Sequence, residues 1–265
     1  MKTVIFDIQG NKKGDITLPK VFSTTIRPDL IKRAVLAIQS NRRQSYSPNE
    51  LAGKRTSAHY HGVREGPHHM MNASMARMSR IHGGPPNLSM TARFVPQALK
   101  GRKAHPPKIE KIWSQKINNK ERIYAVKSAI AATALKEIVV ERGHKVGDLT
   151  LPIVIDDSLE EVNKSKNVKD LLNKIGLKKE LERAKAKKVR PGKGKKRGRK
   201  YKKRKSLLFV VVKGNSIVKA ARNIAGVDVC QVNNLNVELL APGTHPGRLT
   251  VFTEAAIKKL GEIYG

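Results

Sequence analysis

Aromatic side chains are scarce in this sequence: five Phe, five Tyr and one Trp make up 4% of 265 residues. So thin a supply argues against a surface built to stack many unpaired bases. The single cysteine, Cys230, excludes a disulfide scaffold and a Cys-rich zinc module. Long apolar runs are missing as well. The longest, Leu207–Val212, has six residues, where a membrane-spanning helix needs about 20. The opening MKTVIFDIQG is strand-like and carries an Asp, unlike a secretory signal. A soluble intracellular protein without membrane association is therefore expected. Acidic residues are the last shortage: 21 Asp and Glu stand against 54 Lys and Arg, a formal net charge of +33. A chain this basic repels itself unless a polyanion neutralises it. Nucleic acid is the leading partner class and an anionic membrane the second.

What is present is enough for a core. Hydrophobic residues make up 39% of the chain, and this length supports one large domain or two modest ones. The excess charge is concentrated in two places. Asn41–Ile112 holds 13 Lys or Arg against Glu50, Glu65 and Glu110, and Ala184–Lys205 holds 14 basic residues in 22 with no acid. The remainder is closer to balanced and carries most of the periodic apolar pattern. We therefore expect a globular domain made of residues 1–40 and 113–265, an extended loop over 41–112 inserted in it, and a basic segment over 184–205.

The periodic part reads as alternating strands and helices. Thr3–Ile8 and Asp15–Pro19 are short strands around a Gly10–Gly14 turn. Pro28 suits the first turn of a helix carrying Leu30, Ile31, Ala34, Val35 and Ile38 at helical spacing. A second helix is expected from about Asn119 to Arg142, with Ile123, Val126, Ile130, Ala134 and Ile138 on one face and Gly143 closing it. Leu151–Ile155 is a strand, followed by helices over Val168–Ile175 and Lys178–Lys188. Beyond the basic run, strands at Ser206–Lys213, Val227–Val232 and Leu249–Phe252 alternate with helices at Ser216–Ile224, Val237–Leu240 and Glu254–Ile263, the last capped by Thr253. This order predicts an α/β, three-layer sandwich with a mainly parallel sheet, plus the long loop and the basic segment.

The inserted stretch has frequent Gly and Pro and no sustained apolar period, yet Ile, Met, Leu, Phe and Val recur. A long structureless segment inside a domain is usually functional or disordered. Scattered apolar anchors among arginines suit a segment that orders against a polyanion, since Arg makes forked contacts with phosphates. A solvated flexible loop is the plainer alternative. In the second run, Pro191, Gly192, Gly194 and Gly198 forbid a continuous helix, so its cations are expected to meet phosphates without reading sequence. A localisation signal or generic solvated charge is the other reading there.

Enzymatic constellations are weak. His59, His61, His68 and His69 fall within eleven residues, but no Cys accompanies them and the surroundings lack a rigid frame; contacts with RNA are preferred over metal, so no metal ligands and no cofactor are assigned. Met71, Met75 and Met78 share a face if a short helical turn forms. Asp156-Asp157 sits where α/β enzymes place active sites, but no partner base is evident and helix capping is preferred. Cys230 reads as an inert core residue. No catalytic residues are named.

Several strings resemble the number-four family of universal large-subunit ribosomal proteins, in its archaeal and eukaryotic form. They are Ala92–Gln97 (ARFVPQ), Gly101–Lys108 (GRKAHPPK), Ala125–Ala134 (AVKSAIAATA), Gly198–Tyr201 (GRKY), Ala221–Gly226 (ARNIAG), Ala241–Gly243 (APG) and Gly247–Glu254 (GRLTVFTE). The resemblance implies a non-enzymatic structural constituent of the cytoplasmic large ribosomal subunit, supporting its assembly and translation. Its implied partners are large-subunit (23S-type) ribosomal RNA, neighbouring large-subunit ribosomal proteins, and the nascent polypeptide in the exit tunnel. The loop over 41–112 is then expected to penetrate the RNA, disordered alone and ordered in place. Its tip, Ala76, Arg77, Met78, Ser79 and Arg80, would line the tunnel. RNA contacts are expected from Arg42, Arg43, Lys54, Arg55, Arg64, Arg77, Arg80, Arg93, Lys100, Arg102, Lys103 and His105. The basic segment would add Lys195, Lys196, Arg197, Arg199, Lys200 and Tyr201. A chromatin-type duplex binder and an RNA-acting α/β enzyme are the competing classes.

Overall fold

A computed structural model describes residues 1–265. The chain divides into two compact units, Met1–Asn41 with Gln115–Gly265, and Arg42–Ser114.

The first unit is built on a six-stranded sheet. Strands β1 (Lys2–Phe6) and β2 (Lys12–Thr17) form an antiparallel hairpin whose turn passes through Gly10 at φ +82°. The second strand starts three residues earlier than the alternation suggested, because the turn closes tightly at that glycine. Strand β3 (Ile153–Ile155) lies parallel to β1. A separate small pair, β4 (Lys188–Val189) and β5 (Tyr201–Lys202), is antiparallel. Strands β6 (Leu208–Val211), β7 (Asp228–Gln231) and β8 (Thr250–Thr253) complete the main sheet in the order β2-β1-β3-β8-β6-β7. All of its pairings except β1–β2 are parallel. Helices are α1 (Pro28–Asn41), α2 (Asn119–Ala134), α3 (Lys136–Glu141), α4 (Ser165–Lys174), α5 (Lys178–Lys185), α6 (Asn215–Ala221), α7 (Val237–Leu240) and α8 (Glu254–Tyr264). None is long and apolar enough to cross a membrane.

Alternation along the strands makes the layers, since successive side chains leave opposite faces. Val154, Leu208, Val210 and Phe252 join one apolar cluster with Ile31, Ala34 and Val35 of α1, Ala129 and Ile130 of α2, and Ile257 and Leu260 of α8. Ile153, Ile155, Phe209, Val211 and Val251 join the other, with Val139 of α3, Leu171 and Leu172 of α4, Leu181 of α5 and Ile217 of α6. The three-layer α/β sandwich is thus formed by two cores on either side of one mainly parallel sheet.

The single helix expected over 119–142 is two helices. Leu135 takes an extended conformation (φ −87°, ψ 111°) between them. The break has a packing reason: α2 serves the first apolar cluster, whereas Val139 of α3 serves the second. The buried face differs from the expected one too. Ala125, Val126, Ala129, Ile130, Ala132 and Thr133 are buried, while Ile123 stays 40% exposed. Val126 and Ile130 of the expected face are buried, and small alanines beside them fill out the contact face. Past α3, Gly143 at φ +93° sends its N–H to Val140 O, a left-handed stop of the kind that ends many helices.

Residues 42–114 contain no helix and no named strand. Extended pieces meet at isolated antiparallel bridges, His59 with Arg80 and Arg80 with Ala92. The short helical turn expected around Met71, Met75 and Met78 is absent. Asn72 (φ 63°) and Ser74 (φ 50°) are left-handed, which breaks helical continuation. Met70 instead is the buried methionine, at 1% exposure.

Candidate nucleic-acid interface

The basic run over 184–205 projects as a hairpin from a rigid foot. Lys188 pairs with Lys202 and Val189 with Tyr201. A 3-10 turn at Lys193–Lys195 follows Gly192 at φ +74°, and Arg190 N–H donates to Lys200 O at 2.8 Å. Lys195, Lys196, Arg197, Arg199, Lys200 and Tyr201 are all exposed. The ammonium groups of Lys200 and Lys187 stand 5.5 and 5.9 Å from the Tyr201 ring. Short extended pieces separated by glycines spread the cations along both strands, which suits a phosphate backbone.

The foot is a buried polar network that the sequence did not advertise. Glu180 is fully buried and accepts hydrogen bonds from Arg183, Ser206 Oγ at 2.7 Å, the Lys145 N–H at 3.0 Å and His144 Nδ1 at 2.8 Å. Burial alone would raise its pKa. The hydrogen bonds from Arg183 and its other donors outweigh that and hold the carboxyl at about 2. His144, its charged form disfavoured by burial, is held below the ordinary histidine value. It therefore donates as a neutral imidazole. Arg183 also donates to Lys205 O at 3.0 Å, at the end of the basic run.

Arg248 forms a second anchor, 1% exposed. Its guanidinium donates to the carbonyls of Ser206 (2.7 Å), Leu207 (3.0 Å) and Leu239 (3.0 Å) and to Asp228 Oδ2 (2.6 Å). Lys205 Nζ meets the same carboxylate at 2.8 Å. Both sides of the hairpin base are thus fixed to the sheet. Neither Glu180 nor Arg248 was singled out as a site residue. Only the buried pattern of the neighbouring residues could have marked them.

The strand ends, where α/β proteins commonly bind ligands, are occupied by the protein's own caps. Asp157 Oδ1 accepts the Ala255 N–H in the first turn of α8, as the capping expectation required. Glu160 accepts the Val212 and Lys213 N–H groups at 2.7 and 2.8 Å and the Thr253 hydroxyl at 3.0 Å. Asp156 pairs with Lys13 at 3.0 Å. These three acids act as structural acceptors. Burial raises the Cys230 thiol to about 11, which leaves it protonated and inert.

Within residues 42–114, the named cations fall into two groups. Arg42, Arg43, Lys54, Arg55, Arg64, Arg77, Lys100, Lys103 and His105 are exposed. Arg80, Arg93 and Arg102 are partly buried. Arg80 donates to Met90 O at 2.8 Å and Ala76 O at 3.0 Å, and Arg93 to Leu99 O at 3.0 Å. Both guanidiniums brace their own segment. At the expected tip, Ala76 and Arg77 are exposed, whereas Met78, Ser79 and Arg80 are partly buried. Gly53 is required by packing: at φ +77°, a Cβ there would lie 2.5 Å from Arg102 Cα.

One aromatic platform escaped the sequence reading because its members are far apart in the chain. Tyr46 and Trp113 stack with ring centroids 6.3 Å apart, Arg43 lies 3.6 Å over the Trp113 ring, and Lys111 Nζ lies 4.4 Å from it. A cation-flanked indole of this kind suits stacking on a base. Among possible metal ligands, His59, His61 and His82 bring ring nitrogens within 4.8 Å of one another.

The sequence profile described as the Ribosomal protein L4/L1 family matches residues 16–263. Proteins named large ribosomal subunit protein uL4 are similar over nearly their whole length. That of Archaeoglobus fulgidus is 49% identical over 263 residues, covering 99% of each chain. That of Methanococcoides burtonii is 50% identical over 257 residues, covering 97% of this chain and 96% of the relative. That of Methanosphaera stadtmanae is 46% identical over 265 residues, covering 99% and 97%.

Proposed function

The chain belongs to the ribosomal protein L4/L1 family, and we propose from that premise that it is a structural, non-enzymatic constituent of the large ribosomal subunit, bound to large-subunit ribosomal RNA. The observation that carries this reading is the placement of charge. Cations of the hairpin over 184–205 and most of those in residues 42–114 face solvent, while the acids at the strand ends are engaged in caps.

The mechanism is electrostatic and architectural. Each Lys or Arg that neutralises a phosphate releases a condensed counterion, which favours binding without reading sequence. The foot formed by Glu180, Arg183 and Arg248 holds the base of the hairpin in place, so less conformational freedom is lost on binding. In the loop, Arg80 and Arg93 position backbone, while Arg42, Arg43, Lys54, Arg55, Arg64, Arg77, Lys100, Arg102, Lys103 and His105 contact RNA. Arg43, Tyr46 and Trp113 add a stacking point. The loop reaches the exit tunnel, where Ala76–Arg80 faces the nascent polypeptide, and neighbouring ribosomal proteins complete the setting.

The test is binding of the purified chain to large-subunit ribosomal RNA and to DNA duplex of equal length across a salt series. Roughly ten phosphate contacts would weaken binding by about 10³–10⁵ between 50 and 200 mM salt, with ribosomal RNA retained at salt that releases DNA. Equal affinity for both at every salt concentration would favour a general duplex binder instead.

A further inference from the structure

Four imidazoles converge within residues 42–114. His82 is central: its ring centroid lies 4.2 Å from that of His61, 4.4 Å from His59 and 4.7 Å from His68. His59 and His61 are themselves 4.4 Å apart. The backbone explains the convergence. His59 and His61 are two residues apart on an extended piece, which turns their side chains to one side. The bridge between His59 and Arg80 then brings the piece carrying His82 alongside.

The nitrogen atoms say more than the rings. His61 Nε2 and both ring nitrogens of His82 are sealed from solvent and have no hydrogen-bond partner. Buried polar groups are almost always partnered, so orphaned nitrogens on adjoining imidazole rings call for an occupant. A proton on each ring would set positive charges against one another; a cation between the rings takes one lone pair from each, leaving the second His82 nitrogen as an N–H. His59 is already oriented for that role. Its Nδ1 lies 2.9 Å from Ser57 O, so the N–H donates to the carbonyl and the lone pair is left on Nε2. A backbone carbonyl orients metal-bound histidines in the same way. His68 sits beside the cluster on left-handed backbone (φ 64°), a strained conformation for a residue with a side chain and one that concentrates at functional sites. His69, its neighbour, turns away and bonds Gly66 O at 2.8 Å.

We propose that His59, His61 and His82 form a binding site for one divalent transition-metal ion of the zinc class, with the fourth position left to solvent on the side of His68. An all-imidazole set suits zinc, and no cysteine or carboxylate belongs to it. Zinc–nitrogen bonds of about 2.0–2.1 Å place tetrahedral ligands about 3.3 Å apart. The nitrogens, within 4.8 Å of one another, reach that spacing by ring rotation. The ion would cross-link the stretches around residues 59–61 and 82, in a unit that has no regular element of its own. This inference does not depend on the ribosomal reading.

The experiment titrates the full-length, metal-stripped chain with Co²⁺ and follows its visible absorption. Expected are the intense d–d bands of tetrahedral cobalt, saturating at one ion per chain and bleached by one equivalent of Zn²⁺. His69→Ala should leave the titration unchanged and His82→Ala should abolish it. His82→Cys separates loss of a ligand from loss of folding: it should keep binding and add a near-ultraviolet thiolate-to-cobalt band. Weak octahedral spectra, no saturation at one ion, bands that survive His82→Ala, or no charge-transfer band in His82→Cys would each overturn the site.

Discussion

Nδ1 of His144 lies 2.8 Å from Oε1 of Glu180, with 2% of one side chain and none of the other exposed. The pair ties the loop after α3 to α5, and Arg183 and Ser206 extend the tie to the end of the basic hairpin and the start of β6. A hidden carboxylate with this many donors makes the fold sensitive to acid.

Stability should therefore fall as pH drops. The Glu180 carboxyl titrates at about 2 when folded and near 4.3 in an unfolded chain. Its contribution is complete above the unfolded value and is lost as pH falls through the folded one. His144, also depressed, acts in the same direction, because the unfolded chain takes up its proton first, below about 6.5. For Glu180 the shift amounts to about 3 kcal/mol. Glu180→Gln should lower Tm at neutral pH by about 6–12 °C and flatten the acid limb. Calorimetry between pH 3 and 7 checks this; an unchanged acid limb in the variant would contradict it.

Arg248 should be as sensitive as a core residue although it is a cation. Arg248→Ala leaves Asp228 with Lys205 as its remaining cation and takes a donor from the carbonyls of Ser206, Leu207 and Leu239, at a cost of about 1–3 kcal/mol for each carbonyl left unsatisfied. Arg248→Lys should recover only part, since one ammonium cannot reach carbonyls on several sides. Denaturant midpoints of the two variants decide this.

Deleting Tyr46–Pro106 should leave the first unit folded. Neither apolar cluster of that unit draws on residues 42–114. The flanks are already held together, since Asn41 Oδ1 accepts the Gln115 N–H at 2.8 Å. A shorter connection also reduces closure entropy by about 0.6 kcal/mol per halving. Thermal unfolding should stay cooperative with Tm equal or slightly higher. Loss of cooperativity would show that the inserted segment supports the core.

A photoreactive group placed at Arg77, the exposed cation of the expected tip, should cross-link to a stalled nascent chain in assembled ribosomes. The same group at Met70, which is buried, should not. Labelling of RNA alone from position 77 would place the tip away from the tunnel.

The fold was legible in the sequence where burial on both faces wrote a continuous apolar run, as at Leu207–Val212, and where caps had their usual chemistry, as at Thr253, whose hydroxyl accepts the Ala256 N–H. The α2–α3 break was not legible, because periodicity does not report which of two cores a residue enters. The basic segments stood out by composition. Their internal geometry did not: Arg80 turns inward onto Met90 and Ala76 carbonyls, and Tyr46 meets Trp113 across 67 positions of sequence. His82 is likewise outside the histidine-rich run, and only a bridge between distant stretches brings it to His59 and His61.

Integral membership of the large subunit is tested most directly by sedimenting the tagged native protein from lysate through a sucrose gradient at about 0.5 M monovalent salt, which strips purely electrostatic passengers. Quantitative recovery with the large ribosomal subunit is the expected result. Recovery at the top of the gradient, or with DNA, would contradict it.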